Sequence, residues 1–360
     1  MKICHIMDSG GFYGKERVVM ELVKKQVENE HYVQVICLGP KIPALVEKGI
    51  EIGVGKMHMW FMDFKAGFRF KDIRALKLVL SLHSFDIIHV HGEKESVYAI
   101  LTRWGLPLVR TLHGYTNLKK FTKAWVKHKL DRFLFEWHNA VIGVSDDMVG
   151  KYGVTHVIKN GIECREFNTE NLNEKVVDFC KGDHHIIGCT ARFSSEKNLN
   201  NLVLAMTLLP ENYKLLLLGN GPLLPEIHQM IISHRLENRV HMAGFVPNAF
   251  DYLSLIDIYI QPSYTEGTPI SVLEAMCAKK NIIMTAVGGM KYLLSQQTGW
   301  ECDTTPHSIA ETITHVSVNN DNVDYQNRAK NLFDREYSIE SMYMQYNALY
   351  SMVLLTVENN

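Results

Sequence analysis

Two acidic residues eight positions apart, Glu266 and Glu274 in the stretch YTEGTPISVLEAMCAKK (264–280), raise the question of chemistry. Pro269 suits the first turn of a helix, where a missing N–H costs nothing, and Ile270, Leu273, Ala275 and Met276 fall at helical spacing. The pattern predicts a helix that begins near Thr268, with Glu266 on the loop before it and Glu274 about one and a half turns inside. A helix N-terminus reached through a glycine loop offers backbone N–H groups and a positive dipole end, which is a site for phosphate. The stretch reads as a holder of a phosphorylated ligand between two acceptors. It reads equally as a helix-start acid followed by a solvated one, so other segments must decide.

Cations with the matching chemistry occur in TARFSSEKNLNNL, where Arg192 and Lys197 precede a helical pattern and can converge on a diphosphate. Glu196 keeps surface ion pairing open as an alternative. Gly219 and Gly221 in LGNGP, and Phe245 and Val246 in AGFVPN, follow strand-like runs of the same region. Near the start, Gly10, Gly11 and Gly14 form a turn before a helix, and His91 and His113 each end a β-rich run. A dinucleotide site is disfavoured, because Leu38-Gly39-Pro40 ends the second strand without an acid for a ribose.

These residues must be positioned by strands and helices in alternation. KICHIM, YVQVICLG, FDIIHVHG, LPLVRTLHG, AVIGVS and HVIKNG are short and β-rich, with amphipathic segments such as ERVVMELVKKQ and KDIRALKLVLSL between them. A second series runs through HHIIGCTAR, YKLLLLGNG, RVHMAGFV, DIYIQPS, NIIMTAVGG and TGWECD. This is βαβ alternation in two α/β halves, each expected to be Rossmann-like and doubly wound, with the candidate residues just beyond the carboxyl ends of parallel strands. The expected domains are 1–164 and 165–337, with a long helix over 338–360 crossing back to the first.

At 360 residues and 46% hydrophobic, the chain suits two cores and not one. No apolar run is long enough to span a membrane, and MKICHIMDSGG reads as a strand running into a glycine turn, so a cytoplasmic protein is expected. Seven scattered cysteines without a C-x-x-C pair predict reduced thiols, with neither disulfide nor zinc. The near-neutral chain hides an asymmetry: residues 1–160 carry 24 Lys and Arg against 16 Asp and Glu, and residues 161–360 carry 14 against 23. A basic half serves nucleic acid, an anionic membrane surface or an acidic substrate, and no nucleic-acid-binding motif accompanies it. TNLKKFTKAWVKHKLDRFLFEWH (116–138) mixes lysines with aromatics, and MHMWFMDFKAGFRF (57–70) is aromatic-rich. Two readings stand for them: a core-packed helix with a solvated lysine face, and a peripheral contact with an anionic membrane that reaches a lipid-linked acceptor.

The order and spacing of G-G-F-Y-G-K-E, D-I-I-H-V-H-G (86–92), T-L-H-G (111–114), I-K-N-G-I-E (158–163), A-R-F-S-S-E-K (191–197), G-N-G-P (219–222), G-F-V-P-N (244–248) and E-G-T-P-I-S-V-L-E (266–274) resemble the retaining GT-B glycosyltransferases of family 4 over nearly the full chain. The resemblance implies two Rossmann-like domains facing a cleft, the C-terminal one holding a nucleotide diphosphate sugar and the N-terminal one the acceptor. By the same implication, Arg192 and Lys197 grip the diphosphate with the backbone around Gly267, Thr268 and Pro269, and Glu274 takes the ribose. Glu266 takes hydroxyls of the transferred sugar, Phe245 and Val246 border the base, Gly11 approaches the phosphate, and His113 faces the reacting sugar.

The implied reaction moves a sugar with retention to a hydroxyl of a glycan, lipid-linked or other acceptor, in polysaccharide or glycoconjugate synthesis. His113, Arg192, Lys197 and Glu266 are the expected catalytic set. No Asp-x-Asp pair occurs, so no metal or other cofactor is demanded. A phosphorylase and a non-catalytic nucleotide-sugar-binding protein remain as alternatives on the same fold. Three places depart from the family's pattern: Lys279 where a helix-ending glycine is usual, the pair Lys291-Tyr292 for Pro-Glu, and Lys159 for a proline.

Overall fold

The computed structural model describes residues 1–8, 14–53, 59–62, 69–103, 105–113, 134–150, 153–319 and 321–358. The chain divides into two compact units, Met1–Glu163 with Ser338–Asn360, and Cys164–Tyr337.

The first unit is built on a seven-stranded parallel sheet of β1 (Lys2–Met7), β2 (Tyr32–Cys37), β3 (Met59–Phe61), β4 (Ile87–Val90), β5 (Leu108–Leu112), β6 (Ala140–Gly143) and β7 (His156–Val157). Their order is β3-β2-β1-β4-β5-β6-β7. Alternation along β2 sends Val33, Val35 and Cys37 to one core with Val19, Met20 and Val23, while Ile36 joins Cys4, Ile6 and Ile88 in another with Leu76 and Val79. Both faces are thus covered by helices, which is why these strands read as continuous apolar runs. The final helix, Ile339–Glu358, packs on the helix Gly14–Glu28. The edge strand β3 lies in the aromatic-rich stretch 57–70, which the strand series read from the sequence does not include. Three residues are too few for a period-two pattern to show in the sequence.

The second unit carries β8 (His185–Thr190), β9 (Tyr213–Leu218), β10 (Val240–Gly244), β11 (Ile258–Gln261), β12 (Asn281–Met284) and β13 (Trp300–Glu301), in the order β10-β9-β8-β11-β12-β13. Numbered from its own first strand, each sheet runs 3-2-1-4-5-6, the doubly wound Rossmann order, with a seventh strand added at the edge of the first. Its ligand crevice forms where the strand order reverses, between β1 and β4 in one unit and between β8 and β11 in the other. One core of the second unit gathers Ile187, Leu215, Leu217, Ile258, Ile260 and Ile283 from the strands with Leu202, Ile227 and Ile309 from the helices.

The expected all-thiol state is corrected by a disulfide between Cys164 and Cys277, with 5.8 Å between their Cα atoms. The two are 113 residues apart, so the pairing depends on where the fold brings the chain back and leaves no spacing signal. Cys277 is the last residue of the helix Ile270–Cys277, and Cys164 opens the second unit, so the bond ties that unit's first residue to this helix. Cys4, Cys37, Cys189 and Cys302 are buried thiols, as expected of core residues.

Candidate active site

After β8 the chain turns through Arg192 into a single 3₁₀ turn, Ser195–Lys197, and Asn198 enters the left-handed region at φ 56° before the helix Leu199–Ala205. That residue is held from both sides: its Nδ2 donates to the carbonyls of Pro262 (3.0 Å) and Thr304 (2.8 Å). The fixed backbone aims Lys197 at the loop beyond β11, where its Nζ lies 2.6 Å from Glu266 Oε1. Gln261 Nε2 (3.0 Å) and Ser263 Oγ (2.9 Å) donate to the same oxygen. Lys197 and Glu266 therefore meet at the switch point of the second sheet, drawn from its first and fourth strands. Gln261 and Ser263 escaped the sequence reading. Their place at the end of β11 was the available signal.

The loop carrying Glu266 is pinned from below. Gly288 has φ 51°, and a Cβ there would stand 1.7 Å from the carbonyl oxygen of Glu266, so only glycine allows this approach. Gly289 N–H donates to the Gly267 carbonyl at 2.9 Å. The helix begins at Ile270 with Pro269 as its N-cap residue, two residues later than the sequence pattern placed its start near Thr268. Among the described residues, the N–H groups of Gly267, Thr268, Ile270 and Ser271 have no acceptor, which leaves a row of donors beside Glu266.

Glu274 is 4% exposed, which removes the alternative reading of a solvated acid. Every residue from Val272 to Cys277 is buried, so this part of the helix is covered all round. Arg192 is exposed and, among the described residues, forms no ion pair. Glu196 takes its hydrogen bond from Ser194 Oγ, and that bond holds its carboxyl below the usual range. The feared pairing with Arg192 does not form. Gly219, at φ 135°, brings the β9 loop against the Ala191 carbonyl, where a Cβ would stand 1.9 Å away, and so supports the Arg192 turn from the other side. Beyond β10, Phe245 is 74% exposed while Val246 is half-buried. An aromatic ring left in water at a strand end is available for stacking. Gly11 lies outside the described residues, as do residues 57–58, 63–68 and 116–133 of the two stretches read for membrane contact.

In the first unit His5 of β1 sits beside His89 of β4 in register. His91 and His113 follow β4 and β5. Gln26 Oε1 meets His5 Nε2 at 2.8 Å, His5 Nδ1 meets His91 Nε2 at 2.9 Å, and His91 Nδ1 meets His113 Nε2 at 3.0 Å. In a neighbouring row Tyr350 Oη lies 2.7 Å from His89 Nδ1, and Thr111 Oγ1 lies 2.7 Å from His89 Nε2. Burial lowers all four imidazoles, His5 to about 4, His113 to about 3, and His89 and His91 well below the ordinary value, so the cluster is neutral near pH 7. His5, His89 and His91 bring ring nitrogens within 4.8 Å of one another, a spacing a metal ion can use. All six nitrogens already sit in the hydrogen bonds above, so an ion would have to break them. His91 was noted in the sequence, whereas His5 and His89 lay unnoticed inside apolar strands.

Each half of the chain matches one family model: glycosyl transferases group 1 over residues 171–332, and Glycosyltransferase Family 4 over residues 13–166. The chain belongs to the family-4 glycosyltransferases of GT-B fold. It is 26% identical to the GPI3 subunit of phosphatidylinositol N-acetylglucosaminyltransferase from Saccharomyces cerevisiae, over 69% of this chain and 59% of that protein, and so spans only part of that relative. It is 25% identical to N-acetyl-alpha-D-glucosaminyl L-malate synthase of Bacillus anthracis, over 78% of each chain. Among solved structures, Anabaena HepE in complex with UDP superposes with a TM-score of 0.82 at 18% identity, covering 98% of this chain and all of that one.

Proposed function

We propose that this protein transfers a glycosyl group from a nucleotide diphosphate sugar to a hydroxyl acceptor, with retention at the anomeric carbon. The observation that carries the reading is the Lys197–Glu266 pair at the sheet's switch point, flanked by exposed Arg192 and by the N–H groups of Gly267, Thr268, Ile270 and Ser271, which have no acceptor among the described residues. In this reading the donor's phosphate competes with Glu266 for the Lys197 ammonium. Displacing that carboxylate oxygen leaves Glu266 to accept from hydroxyls of the transferred sugar. Arg192, Lys197 and the N–H row then oppose the charge that grows on the leaving diphosphate, a preorganised electrostatic stabilisation. Glu274 takes the ribose, Phe245 and Val246 border the base, and Gly11 and His113 are the first unit's contributions to phosphate and sugar.

The relatives support the donor class: two are named for N-acetylglucosaminyl products or transfer, and HepE has been seen with UDP-glucose. The acceptor is proposed as a glycan or a lipid-linked hydroxyl, in keeping with a relative named for a diphosphoundecaprenol acceptor. No helix among the described residues is long and apolar enough to cross a membrane. A cytoplasmic enzyme with a peripheral contact through its basic half is the corresponding proposal. A metal is not required by the proposed charge balance.

A thermal-shift screen of nucleotide sugars tests the reading, since a ligand at ~100 times its dissociation constant adds about 2.7 kcal/mol. Assays with and without inorganic phosphate separate transfer from phosphorolysis. A protein that binds a donor yet neither transfers nor hydrolyses it would be a binding protein on this fold.

A further inference from the structure

The row from Gln26 through His5 and His91 to His113 has a direction. A neutral imidazole has one donor and one acceptor nitrogen, and every link in the row joins two rings or a ring and an amide. Gln26 presents its carbonyl oxygen, so His5 must donate from Nε2 and accept at Nδ1. His91 must then donate from Nε2 to His5 and accept at Nδ1, and His113 must donate from Nε2 to His91. This leaves a lone pair on His113 Nδ1, an atom out of solvent and without a hydrogen-bond partner among the described residues.

We propose that Gln26, His5 and His91 are positioning residues that hold His113 as its Nε2–H tautomer, so that Nδ1 accepts a hydrogen bond from a hydroxyl of the bound ligand. The assignment of that hydroxyl to a sugar rests on the function proposed above, whereas the tautomer does not. His5 and His91 are 0% and 3% exposed and make no contact with bulk water, so their role is exerted through the ring they face. The same logic excludes an imidazolium at His113 as the resting state. A second proton on Nδ1 would leave a buried charge in a cluster of neutral rings.

Nitrogen NMR of the full chain labelled at histidine is the test. Expected is an unprotonated Nδ1 and a protonated Nε2 at His113, unchanged from pH 8 to pH 5.5. In His91→Phe the row is cut, and His113 should show mixed tautomers and titrate at higher pH. Its kcat should fall about 10- to 100-fold, the range that orienting partners command behind metal-bound histidines, with calorimetric affinity for UDP kept. Gln26→Glu retains an acceptor at the head of the row and should leave the His113 tautomer as in the parent, which keeps the idea falsifiable if His91→Phe fails to fold. A protonated Nδ1 in the parent chain, a reversal in Gln26→Glu, or an unchanged His113 in a folded His91→Phe would each overturn the proposal. Should the tautomer be as stated while His113→Ala transfers sugar normally, the positioning row stands and the role given to His113 fails.

Discussion

Lys197 Nζ lies 2.6 Å from Glu266 Oε1, with side chains 19% and 8% exposed, so two groups proposed for different parts of one donor are each other's partner. Gln261 and Ser263 donate to the same carboxylate oxygen, which holds Glu266 in one orientation. The other oxygen is not engaged by these three donors. The pair holds both side chains in place and costs the donor one exchange of partners on entry.

Removing the cation and removing the buried acid should therefore differ in kind. Lys197→Ala is expected to lower kcat, because leaving-group charge grows only along the reaction, whereas Glu274→Ala should raise the donor KM, because a ribose contact is made in ground and transition states alike. Steady-state kinetics with varied donor separates them. Changes confined to KM in both variants would remove Lys197 from the catalytic set.

Activity should persist in EDTA with at most a modest loss, since Arg192 and Lys197 supply the positive charge that a bound divalent ion would otherwise bring. The first product seen in an NMR time course should retain the donor's anomeric configuration. Complete loss in EDTA that one divalent ion restores would refute the first expectation, and an inverted first product the second.

Stability should fall on mild acidification. The four clustered histidines have folded pKa values below their unfolded ones, so between the two the unfolded chain binds more protons and is favoured as pH drops. The stabilising effect is complete above an unfolded value of about 6.5 and is lost progressively as pH falls from there toward the depressed folded values, by up to about 1.4 kcal/mol per pH unit for each histidine. Urea midpoints between pH 7.5 and pH 5 measure it. His5→Gln should flatten the slope, and an equal slope in that variant would count against the cause given.

Reducing Cys164–Cys277 should lower the melting temperature. The bond closes a loop of 113 residues, for which chain entropy suggests roughly 4.7 kcal/mol as an upper figure. Melting with and without dithiothreitol, beside Cys164→Ser, reads the effect. A parent chain whose melting ignores reductant would show that the bond contributes nothing to stability.

Lys279 ends the donor-side helix at φ 52°, in the left-handed region where a side chain costs about 1–2 kcal/mol. Lys279→Gly should raise the melting temperature without altering kcat. A lowered melting temperature would mean that the lysine makes a compensating contact.

Much of this arrangement was legible before folding was considered. Strand-helix alternation and the continuous apolar runs announce parallel sheets covered on both faces, because only doubly buried strands dispense with polar positions. Glycine loops, Arg192, Lys197 and Glu266 could be located at strand ends for the same reason: in such sheets the residue after the strand is the one that reaches a ligand. The left-handed end at Lys279 was also visible, as a position where the pattern asks for glycine and the sequence has another residue.

Tertiary structure alone decided what long-range contact decides. His5, Gln26, His91 and His113 come from separate segments, and only strand register and a packed helix make them one hydrogen-bonded row. Cys164 and Cys277 carry no local signal, since a disulfide answers to distance in space. A solvated Glu274 stayed open as an alternative because a sequence shows its neighbours along the helix but not the elements that cover it. The Lys197–Glu266 pair joins the first and fourth strands of a sheet, and their adjacency is a property of strand order, which local periodicity does not encode.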